Sequence, residues 1–540
     1  MNNNDKKILF GISIVFLFII SASLSYAYFS SSVTGNENAK DMVVEAGTLR
    51  LTYTDSPQIM MQNIKPGQTI TKKVTVKNTG TLDTAYNLVW QELVNLIAND
   101  EMVIEATCTR YNGDTVEGTC ESLTSTPIKR IKIKENVSIE PNVTHKYNIT
   151  ITFKETNADQ NYNQSKSFTG TLGINEYVEN TPIYCTFDGD MVQGAEYVNG
   201  QYTYRYLKEY TRNPRPTGLD DLRVDHNIEN GWSVVLANVT STEPVTSKVC
   251  TYINNMPVTS MSMMYTNSKA TSIDLSSINT GNVTNMGSMF ERTTAKTLDV
   301  SNFDTSKVTD MSGMFWRSEA TIIDLNGFNT SNVTDMSNMF QTNKSTILDV
   351  SKFDTSKVTN MSGMFFNNPT TTLDLNSFKT SNVTNMRLMF CNSEALIIKG
   401  LNNFATSNVT NMNRMFEGIH VEEIDVSSFD TKNVTDMSWM FSNSSSLKRI
   451  YASDKFNTSK VTSSNYMFND SPNLVGGNST KYNSSFVDKT YARIDGGTSN
   501  PGYFTSKWFW RVYLFFSFCI VINYKILYNL NSFWRSYEIK

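Results

Sequence analysis

The chain has 540 residues and carries 47 Lys and Arg against 51 Asp and Glu, for a formal net charge of −4. This near balance excludes the strongly basic surface that is typical of nucleic-acid binding, and the length suffices for about three or four domains. The three histidines, His145, His226 and His420, are far apart, and the sequence has no HExxH, GxSxG or GxxxxGK[ST] motif. We therefore predict a protein that is not an enzyme and uses no cofactor.

The N-terminus has the organisation of an export signal. A short basic segment precedes a nearly unbroken apolar run over residues 8–24, and the sequence Ser-Tyr-Ala follows at 25–27. Small residues at such a position are typical of a signal-peptidase site, so we predict a signal peptide over residues 1–27. The alternative is that the apolar run stays uncleaved as a membrane anchor. Either way we expect an extracellular protein, in which disulfides can form.

Residues 28–178 show the alternation of apolar and polar residues that predicts short strands. One strand is indicated over 70–76, a Lys-Asn-Thr-Gly turn follows it, and another strand is indicated over 86–90. Similar alternation is present over 128–133 and 147–153. The pattern predicts an antiparallel β-sandwich.

Four cysteines and one histidine, in this region and just beyond it, are candidate site residues. Cys108 and Cys120 flank the predicted hairpin CTRYNGDTVEGTC, and we expect a disulfide between them. Cys185 and Cys250 are candidates for a second disulfide. His145 has no second His or Glu at the spacing of helical metal ligands, so we expect a histidine on the surface of a strand and no metal site.

Parts of the N-terminal region resemble a known family. The segments AYFSSSVTGNE, VEAGTLRLTYTD and NIKPGQTITKKVTVKNTGTLDTAYNLVW are similar to the TasA/camelysin group of exported biofilm-matrix proteins, clearly over 28–90 and more loosely to about 178. The resemblance implies self-association through paired edge strands, with the strand after Ala27 as the donor. Camelysin-type members have been classed as metallopeptidases, but the isolated His145 does not support that activity here.

Residues 179–250 are rich in aromatic and β-forming residues and lead directly into a repetitive region. A repeat array needs a polar cap over its first open end. We predict that this β-rich linker is the N-terminal cap.

A unit of 25 residues recurs over residues 251–475. Each unit has a short apolar-polar-apolar strand such as Leu-Asp-Val at 298–300, then an aromatic residue, then two Met and a Phe, such as Met311, Met314 and Phe315, at the spacing of a helical turn. A period of this length indicates a solenoid, in which stacked units bury what one unit cannot. The most regular position is a valine, present as Val283, Val308, Val333, Val358, Val383, Val409, Val434 and Val461.

Two columns of side chains could carry chemistry. Methionine is a soft metal ligand, but the helical spacing of these methionines indicates core packing. The strand aspartates from Asp274 to Asp374 should face outward, one above another, and repel. Either hydrogen bonds to neighbouring Ser, Thr or backbone groups offset this repulsion, or the column binds a cation or another ligand.

The repeat unit LDVSNFDTSKVTDMSGMF resembles the BspA-like leucine-rich-repeat surface proteins of bacteria over about 250–505. The resemblance implies a strand-lined solenoid with an interaction role at the cell surface. We therefore predict a mainly β protein with short helical turns, in which an N-terminal β-sandwich is followed by a leucine-rich-repeat-like solenoid of about 25-residue units.

The repeats decay near the C-terminus. Residues 476–505 are predicted to be a C-terminal cap, because Gly and Pro end the array. Residues 506–540 form a hydrophobic tail whose apolar run over 512–522 is short for a membrane span, which needs about 20 residues. The tail is either a membrane anchor with Lys525 and Arg535 inside, or a frame-shifted end.

The leading hypothesis is a secreted or cell-surface bacterial protein that adheres to a host or extracellular-matrix protein or glycan through its repeats, with multivalency supplying avidity. Candidate partner-binding residues vary between units, and equally they could pack against adjacent loops. They are Trp316, Arg317, Phe366 and Trp439. The alternative is a structural biofilm-matrix subunit that polymerises through the N-terminal sandwich.

Overall fold

The structure is a computed structural model, and the described part of the chain is mainly β. The predicted signal peptide and almost all of the predicted tail lie outside the described residues. The described residues are 32–33, 42–46, 49–55, 59–62, 64–176, 182–207 and 231–507.

Residues 32–176 form two antiparallel sheets, which we call the two-sheet domain. Its strands are β1 (Ser32–Val33), β2 (Met42–Ala46), β3 (Leu49–Asp55), β4 (Ile59–Gln62), β5 (Thr69–Asn78), β6 (Thr84–Asn95), β7 (Met102–Asn112), β8 (Thr115–Thr119), β9 (Leu123–Pro127), β10 (Lys132–Ile139), β11 (Val143–Phe153) and β12 (Ser167–Glu176). One sheet has the order β1-β4-β12-β6-β10. The other has the order β2-β3-β5-β11-β7-β8, and β9 also pairs with β7.

Apolar side chains from both sheets of the two-sheet domain form one core. Val76 and Ile149 come from one sheet and meet Leu88, Trp90 and Phe168 from the other. The ring centroids of Trp90 and Phe168 are 5.9 Å apart, edge to face, a favourable geometry for aromatic pairs. The alternation that predicted the long strands places one face of β5, β7 and β11 in this core.

The next described segments, residues 182–207 and 231–260, contribute a six-stranded sheet of order β13-β17-β18-β16-β15-β14. Its strands are β13 (Tyr184–Cys185), β14 (Glu196–Asn199), β15 (Tyr202–Leu207), β16 (Gly231–Leu236), β17 (Tyr252–Ile253) and β18 (Met256–Ser260). The buried side chains of Tyr204 and Trp232 belong to the same apolar core as Met261 and Tyr265 of the first repeat. The sheet therefore packs against the first unit of the repetitive region.

Residues 251–475, which we call the repeat stack, place successive units directly against one another. Neighbouring units are joined by parallel bridges from Ser260 through Asn285, Asp310, Asp335, Asn360, Asn385, Asn411 and Asp436 to Ser463. Short parallel strands add to these bridges in some units. The strands are β19 (Thr297–Asp299), β20 (Ile322–Asp324), β21 (Thr372–Asp374), β22 (Ile397–Lys399), β23 (Glu423–Asp425) and β24 (Arg449–Ala452), with β25 (Phe504–Ser506) after the stack.

A continuous column of aromatic rings runs through the core of the repeat stack. Neighbouring ring centroids are 5.4 to 5.8 Å apart, and the rings are within 15° of parallel. Burial of each ring contributes roughly 1.5–3 kcal/mol. The column consists of Tyr265, Phe290, Phe315, Phe340, Phe365, Phe390, Phe416, Phe441 and Phe468.

The end of the column is covered by the segment that follows the stack. Tyr503 and Phe504 meet the ring of Phe468 edge to face, with centroids 5.1 and 6.0 Å away. Strand β25 also pairs in parallel with β24. The last unit therefore presents neither an open ring nor an unpaired strand β24 to solvent.

The helical turns predicted for the Met-Met-Phe segments are wrong. The N–H groups of Met311, Gly313 and Phe315 donate to carbonyls of the next unit, at 3.1, 2.7 and 2.9 Å, whereas a helix directs each N–H to the fourth residue before it. Gly313 and Arg317 have φ of 60° and 54°, which a right-handed helix does not allow. Among the described residues the helical elements are 3-10 helices at Asn161–Asn163, Leu401–Asn403, Lys489–Tyr491 and Gly497–Ser499.

The predicted Leu-Asp-Val strands are shorter or displaced by one residue. The strand predicted at 298–300 is Thr297–Asp299 in the structure. The copies around Ile273 and Ile347 make only single parallel bridges, to Val245 and Ile322. A single bridge suffices there because other columns of the unit also hold the stack together.

Candidate functional site

The strand aspartates of the repeats lie one above another, as expected. We call Asp274, Asp299, Asp324, Asp349 and Asp374 the Asp column. In each, Oδ1 accepts a hydrogen bond from the N–H two residues further on, at 2.9 to 3.2 Å. Of the two explanations for how the column avoids repulsion, hydrogen bonding to neighbouring groups is therefore present. It satisfies one oxygen of each carboxylate and leaves the other for a further partner.

Further partners for the Asp column come from the two-sheet domain. Its residues 129–134, Lys-Arg-Ile-Lys-Ile-Lys, form what we call the basic segment. The Lys132 Nζ lies 3.4 Å from Asp299 Oδ2 and 2.9 Å from Ser301 Oγ. The N–H of Ile131 donates to Asp324 Oδ2 at 3.2 Å, and the Arg130 Nε is 4.0 Å from the same oxygen. The acidic column and the basic segment thus face each other across the contact.

Hydroxyl groups on the strands extend this contact in both directions. The Thr297 hydroxyl donates to the Gln91 carbonyl at 2.5 Å. Thr346 Oγ1 accepts the N–H of Asn95 at 3.1 Å, and Thr372 Oγ1 accepts the N–H of Asn99 at 2.8 Å. The two-sheet domain therefore covers the strand side of the stack from Thr297 to Thr372.

An apolar contact accompanies these hydrogen bonds. Ile322 and Ile347 of the repeat stack are buried within the core of the two-sheet domain. Full burial of an isoleucine side chain contributes about 1.5–3 kcal/mol. The strand side is therefore partly an internal interface, and the expectation that every aspartate from Asp274 to Asp374 faces outward is wrong for the buried Asp324.

Burial at this interface changes the proton affinity of two charged groups. The side chain of Asp324 is 1% exposed, and its pKa is raised chiefly by this burial and further by Asp299, against the hydrogen bonds and charge of its partners. Burial lowers the pKa of Lys129, but Asp100, 2.8 Å away, together with Asp349 and Asp374, raises it by more. Lys129 is thus held in its charged form beside the Asp column.

Beyond the contact, the strand side opens into a groove of about 880 Å³. The groove lies between the loop of the two-sheet domain that carries Asp159 and Tyr162 and the strand segments near Ile397 and Ile424. Asp425, which lines it, forms an ion pair with Lys507. This groove is one part of the strand side that the two-sheet domain leaves open, and the exposed Asp274 lies in another.

The four candidate partner-binding residues lie in the turns of the Met-Met-Phe segments. We call residues 311–317, with the equivalent positions of the other units, the turn edge. Arg317 is exposed, and Trp316, Phe366 and Trp439 are half-buried. Phe366 is two units beyond Trp316, and Trp439 is three units beyond Phe366. At about 4.8 Å per unit, Phe366 lies roughly 10 Å from Trp316, and Trp439 lies roughly 15 Å from Phe366. The structure does not bring the four residues together into one pocket.

The two tryptophans of the turn edge pack against arginines of the same or the preceding unit. The guanidinium groups of Arg292 and Arg317 lie 5.4 and 5.6 Å from the Trp316 ring centroid. That of Arg414 lies 4.9 Å from the Trp439 ring. These cation–π contacts hold the rings in place, while each ring keeps part of its surface in solvent.

The two-sheet domain contains a disulfide beside a buried histidine. Cys108 is bonded to Cys120, and elsewhere Cys185 is bonded to Cys250. The expectation that His145 is a surface residue is wrong, because its side chain is 2% exposed. Burial, with the nearby charge of Arg110, lowers the pKa of His145 to about 4. His145 is therefore neutral at physiological pH.

Comparison with known families gives two partial matches. The family model described as "Mycoplasma protein of unknown function, DUF285" matches residues 239–345, 317–416 and 392–506. The model described as "Camelysin metallo-endopeptidase" matches residues 6–101. The chain resembles camelysin at its N-terminus and the DUF285 proteins in its repeats. Both similarities are consistent with a secreted or cell-surface bacterial protein. No curated protein matches the chain.

The described residues contain no helix of the length and apolar character that crossing a membrane requires. The apolar runs predicted as signal peptide and tail lie outside this part of the chain.

The description of the camelysin family implies a metal, and a protein metal centre requires several ligand side chains close together. In the described ranges, one group of three possible ligands comes together, formed by Cys108, Cys120 and His145, whose ligand atoms lie within 4.8 Å of one another. The group lies outside the matched residues 6–101, and the two sulfurs are bonded to each other. With the disulfide closed, only His145 can bind a metal, so the set does not fit a metallopeptidase centre.

Proposed function

We propose that the protein is a non-enzymatic bacterial adhesin, secreted or held at the cell surface, which binds a host or extracellular-matrix protein or glycan through the turn edge. In this proposal the repeat stack is a BspA-like, leucine-rich-repeat-like solenoid, and the two-sheet domain is a TasA/camelysin-like sandwich. The observation that carries the proposal is the division of surfaces. The strand side is partly occupied by the chain's own two-sheet domain, whereas the turn edge holds half-exposed Trp and Phe rings beside arginines.

The residue types of the turn edge suit macromolecular recognition. Trp and Arg dominate the binding energy of many interfaces, and a rigid Trp ring offers a large contact area at a low cost in conformational entropy. The cation–π contacts around Trp316 and Trp439 fix these rings before any partner arrives. Preorganised groups bind with a smaller entropy cost.

Repetition would then supply avidity. The anchors are spaced along the stack, so one extended or multivalent partner can contact several units at once. A single unit would bind weakly, and the loss of one anchor would lower affinity only in part.

The proposal is tested by removing two anchors together. Trp316→Ala with Trp439→Ala, in the full chain, is compared with Tyr184→Ala, which removes an aromatic side chain that is 66% exposed and lies outside the repeat stack. Binding to immobilised matrix proteins and to a glycan array is measured, with folding checked by circular dichroism. We expect the double variant to lose at least tenfold in affinity and the control to bind normally. Equal binding by the double variant and the control contradicts the proposal.

A second candidate function is that of a biofilm-matrix subunit. It is favoured by one observation: the N-terminal segment supplies β1 and β2, which are edge strands of the two sheets. Edge strands are the elements that exchange in β-augmentation. Light scattering of the full chain and of Val33→Pro, which blocks backbone pairing of β1, tests this candidate. Polymers that the variant fails to form favour the matrix role, and a monomeric wild-type chain contradicts it.

A further inference from the structure

We propose that reduction of the Cys108–Cys120 disulfide creates a zinc site, whose ligands are the two cysteine thiolates and Nε2 of His145. This inference is independent of the adhesive function proposed above. It concerns the two-sheet domain alone and assigns no catalytic role to the metal.

The backbone places the three side chains together. In the antiparallel pair β7–β11, Cys108 lies opposite Tyr147, and Arg110 lies opposite His145. Residues two apart on a strand share a face, so Cys108 and His145 lie on the same side of the sheet. The hairpin through β8 returns Cys120 to this place, where its N–H donates to the Cys108 carbonyl at 3.2 Å. Two of the three ligands, Cys108 and His145, therefore lie on paired strands, which hold ligands more firmly than a loop does.

The spacing of the ligand atoms suits one metal ion. The two Sγ atoms and a ring nitrogen of His145 lie within 4.8 Å of one another. Tetrahedral zinc, with bonds of about 2.3 Å to sulfur and 2.0–2.1 Å to nitrogen, requires ligand atoms about 3.3–3.8 Å apart. Small side-chain rotations after the sulfurs separate are enough to reach this geometry.

The buried histidine nitrogen is the second, independent observation. His145 Nε2 is buried and has no hydrogen-bond partner among the residues that the structure describes, and His145 as a whole is 2% exposed. A buried polar atom without a partner destabilises the folded state, and such atoms in folded proteins call for an explanation. A metal ligand that is not yet engaged is such an explanation.

Neighbouring hydroxyl groups orient this nitrogen. The Tyr86 hydroxyl lies 2.9 Å from His145 Nδ1 and 2.7 Å from the Tyr147 hydroxyl. When Nδ1–H donates to Tyr86, Tyr86 can donate to Tyr147, and the lone pair of Nε2 is free for a metal. A hydrogen bond to the second ring nitrogen is the usual support of a metal-bound histidine.

The chemistry balances with a dithiol as the reductant. The dithiol supplies two electrons and two protons, the Cys108–Cys120 bond breaks into two thiols, and the dithiol becomes its own disulfide. Zinc then displaces both thiol protons to solvent. Two thiolates, a neutral imidazole and Zn²⁺ carry no net charge together, which lowers the cost of burying the ion. Sulfur and imidazole donors favour zinc over harder cations.

The second disulfide provides a matched control. Cys185 and Cys250 are also bonded, but near their sulfurs the structure places the amide of Asn199. Within the described residues, the one group of three possible ligands contains Cys108 and Cys120 and excludes Cys185 and Cys250. Reduction of this second disulfide is therefore expected to create no such site.

The test uses Co²⁺ as a spectroscopic probe and Zn²⁺ as its competitor, on the full chain reduced with a dithiol that is then removed without oxygen. We expect one equivalent of Co²⁺ to bind with a thiolate-to-cobalt absorption band, which Zn²⁺ abolishes. The Cys185→Ser, Cys250→Ser variant should behave in the same way. The Cys108→Ser, Cys120→Ser variant and the oxidised chain should lack the band. A reduced wild-type chain that binds no more Co²⁺ than the Cys108→Ser, Cys120→Ser variant overturns the proposal.

Two further variants separate a three-ligand site from a pair of thiolates. Tyr86→Phe keeps the ring but removes the hydrogen bond to Nδ1, and we expect a 10–100-fold loss in Zn²⁺ affinity. His145→Gln should weaken binding at least as much. Undiminished affinity in Tyr86→Phe and His145→Gln shows binding by thiolates alone and overturns the proposal. Zinc binding to a reduced chain whose near-ultraviolet circular dichroism is that of an unfolded protein also overturns it.

Discussion

The backbone N–H of Ile131 donates a hydrogen bond to Oδ2 of Asp324, a residue 193 positions further along the chain, at 3.2 Å. Through this contact the basic segment of the two-sheet domain meets the Asp column of the repeat stack. Like charges stacked at strand spacing repel, and the opposing cations offset that repulsion. The column is thus a docking surface for the chain's own N-terminal domain.

Reversal of one charge should weaken this docking. Lys132→Glu replaces the cation 3.4 Å from Asp299 with an anion. We expect the contact between the two-sheet domain and the repeat stack to be destabilised by about 1 kcal/mol, as for other partly exposed ion pairs. Hydrogen exchange of the β19 and β20 amides should become about fivefold faster. The swapped pair Lys132→Glu with Asp299→Lys should restore slow exchange, and failure of the swap to do so contradicts the assigned pairing.

The pH dependence of stability should report the buried carboxyl of Asp324. Its pKa is raised in the folded chain, so the folded state holds this proton more tightly, and stability falls as pH rises from the ordinary Asp range of about 4 through the raised value. Asp324→Asn removes this loss while the groups that face it, Asp299 and Arg130, remain. The thermal midpoint of the variant should gain on that of the wild type between pH 4 and 7. If the thermal midpoint of the variant instead falls relative to that of the wild type as pH rises over this range, Arg130 stabilises the ionised Asp324 and the prediction is wrong.

The aromatic column should carry much of the stability of the repeat stack. Phe365 is fully buried between Phe340 and Phe390, with both ring centroids 5.8 Å away. Phe365→Ala should therefore cost about 3–5 kcal/mol, measured by urea unfolding. Phe486→Ala, at a ring that is 41% exposed, serves as the control and should cost less than about 1 kcal/mol. A similar loss in the free energy of unfolding for the two variants contradicts the claim that the aromatic column stabilises the repeat stack.

Replacement of a turn-edge glycine should destabilise the chain at one position of the repeat and not at the preceding position, which Gly363 and Gly287 occupy in two different units. Gly363 has φ of +63°, and an added Cβ meets Asn338 Oδ1 at 2.3 Å. Gly363→Ala should cost about 1–2 kcal/mol because of the left-handed backbone. The added Cβ of Gly287→Ala finds its nearest atom at 3.2 Å without a positive φ, so this variant should be nearly neutral in thermal denaturation. The reverse order of costs contradicts the turn geometry.

The sequence predicted some features and missed others for identifiable reasons. The 25-residue period located Phe315, Phe340 and their equivalents in register, because each unit meets the same neighbours. The spacing of Met311, Met314 and Phe315 suggested a helical turn, but the same spacing also fits a coil whose N–H groups bond to the next unit. Periodicity alone does not separate these two structures.

The inward side chain of His145 was predictable from the sequence, whereas the contact of the basic segment with the Asp column was not. His145 has the same parity in β11 as Tyr147 and Ile149, which are buried, so the alternation itself predicted an inward side chain. The basic segment carries Lys and Arg opposite a column of Asp, but nothing local fixes which distant surfaces meet. Contacts between residues so far apart along the chain depend on the fold of both partners.

A zero-length carbodiimide cross-link tests the docking of the two domains most directly. The reagent joins a lysine to a carboxylate only when the two are in contact, and Lys132 Nζ lies 3.4 Å from Asp299 Oδ2. We predict a Lys132–Asp299 link within the monomer, found by mass spectrometry and lost in Lys132→Gln. A chain in which Lys132 forms no such link, while Asp299 and Asp349 react freely with an added amine, would contradict the account.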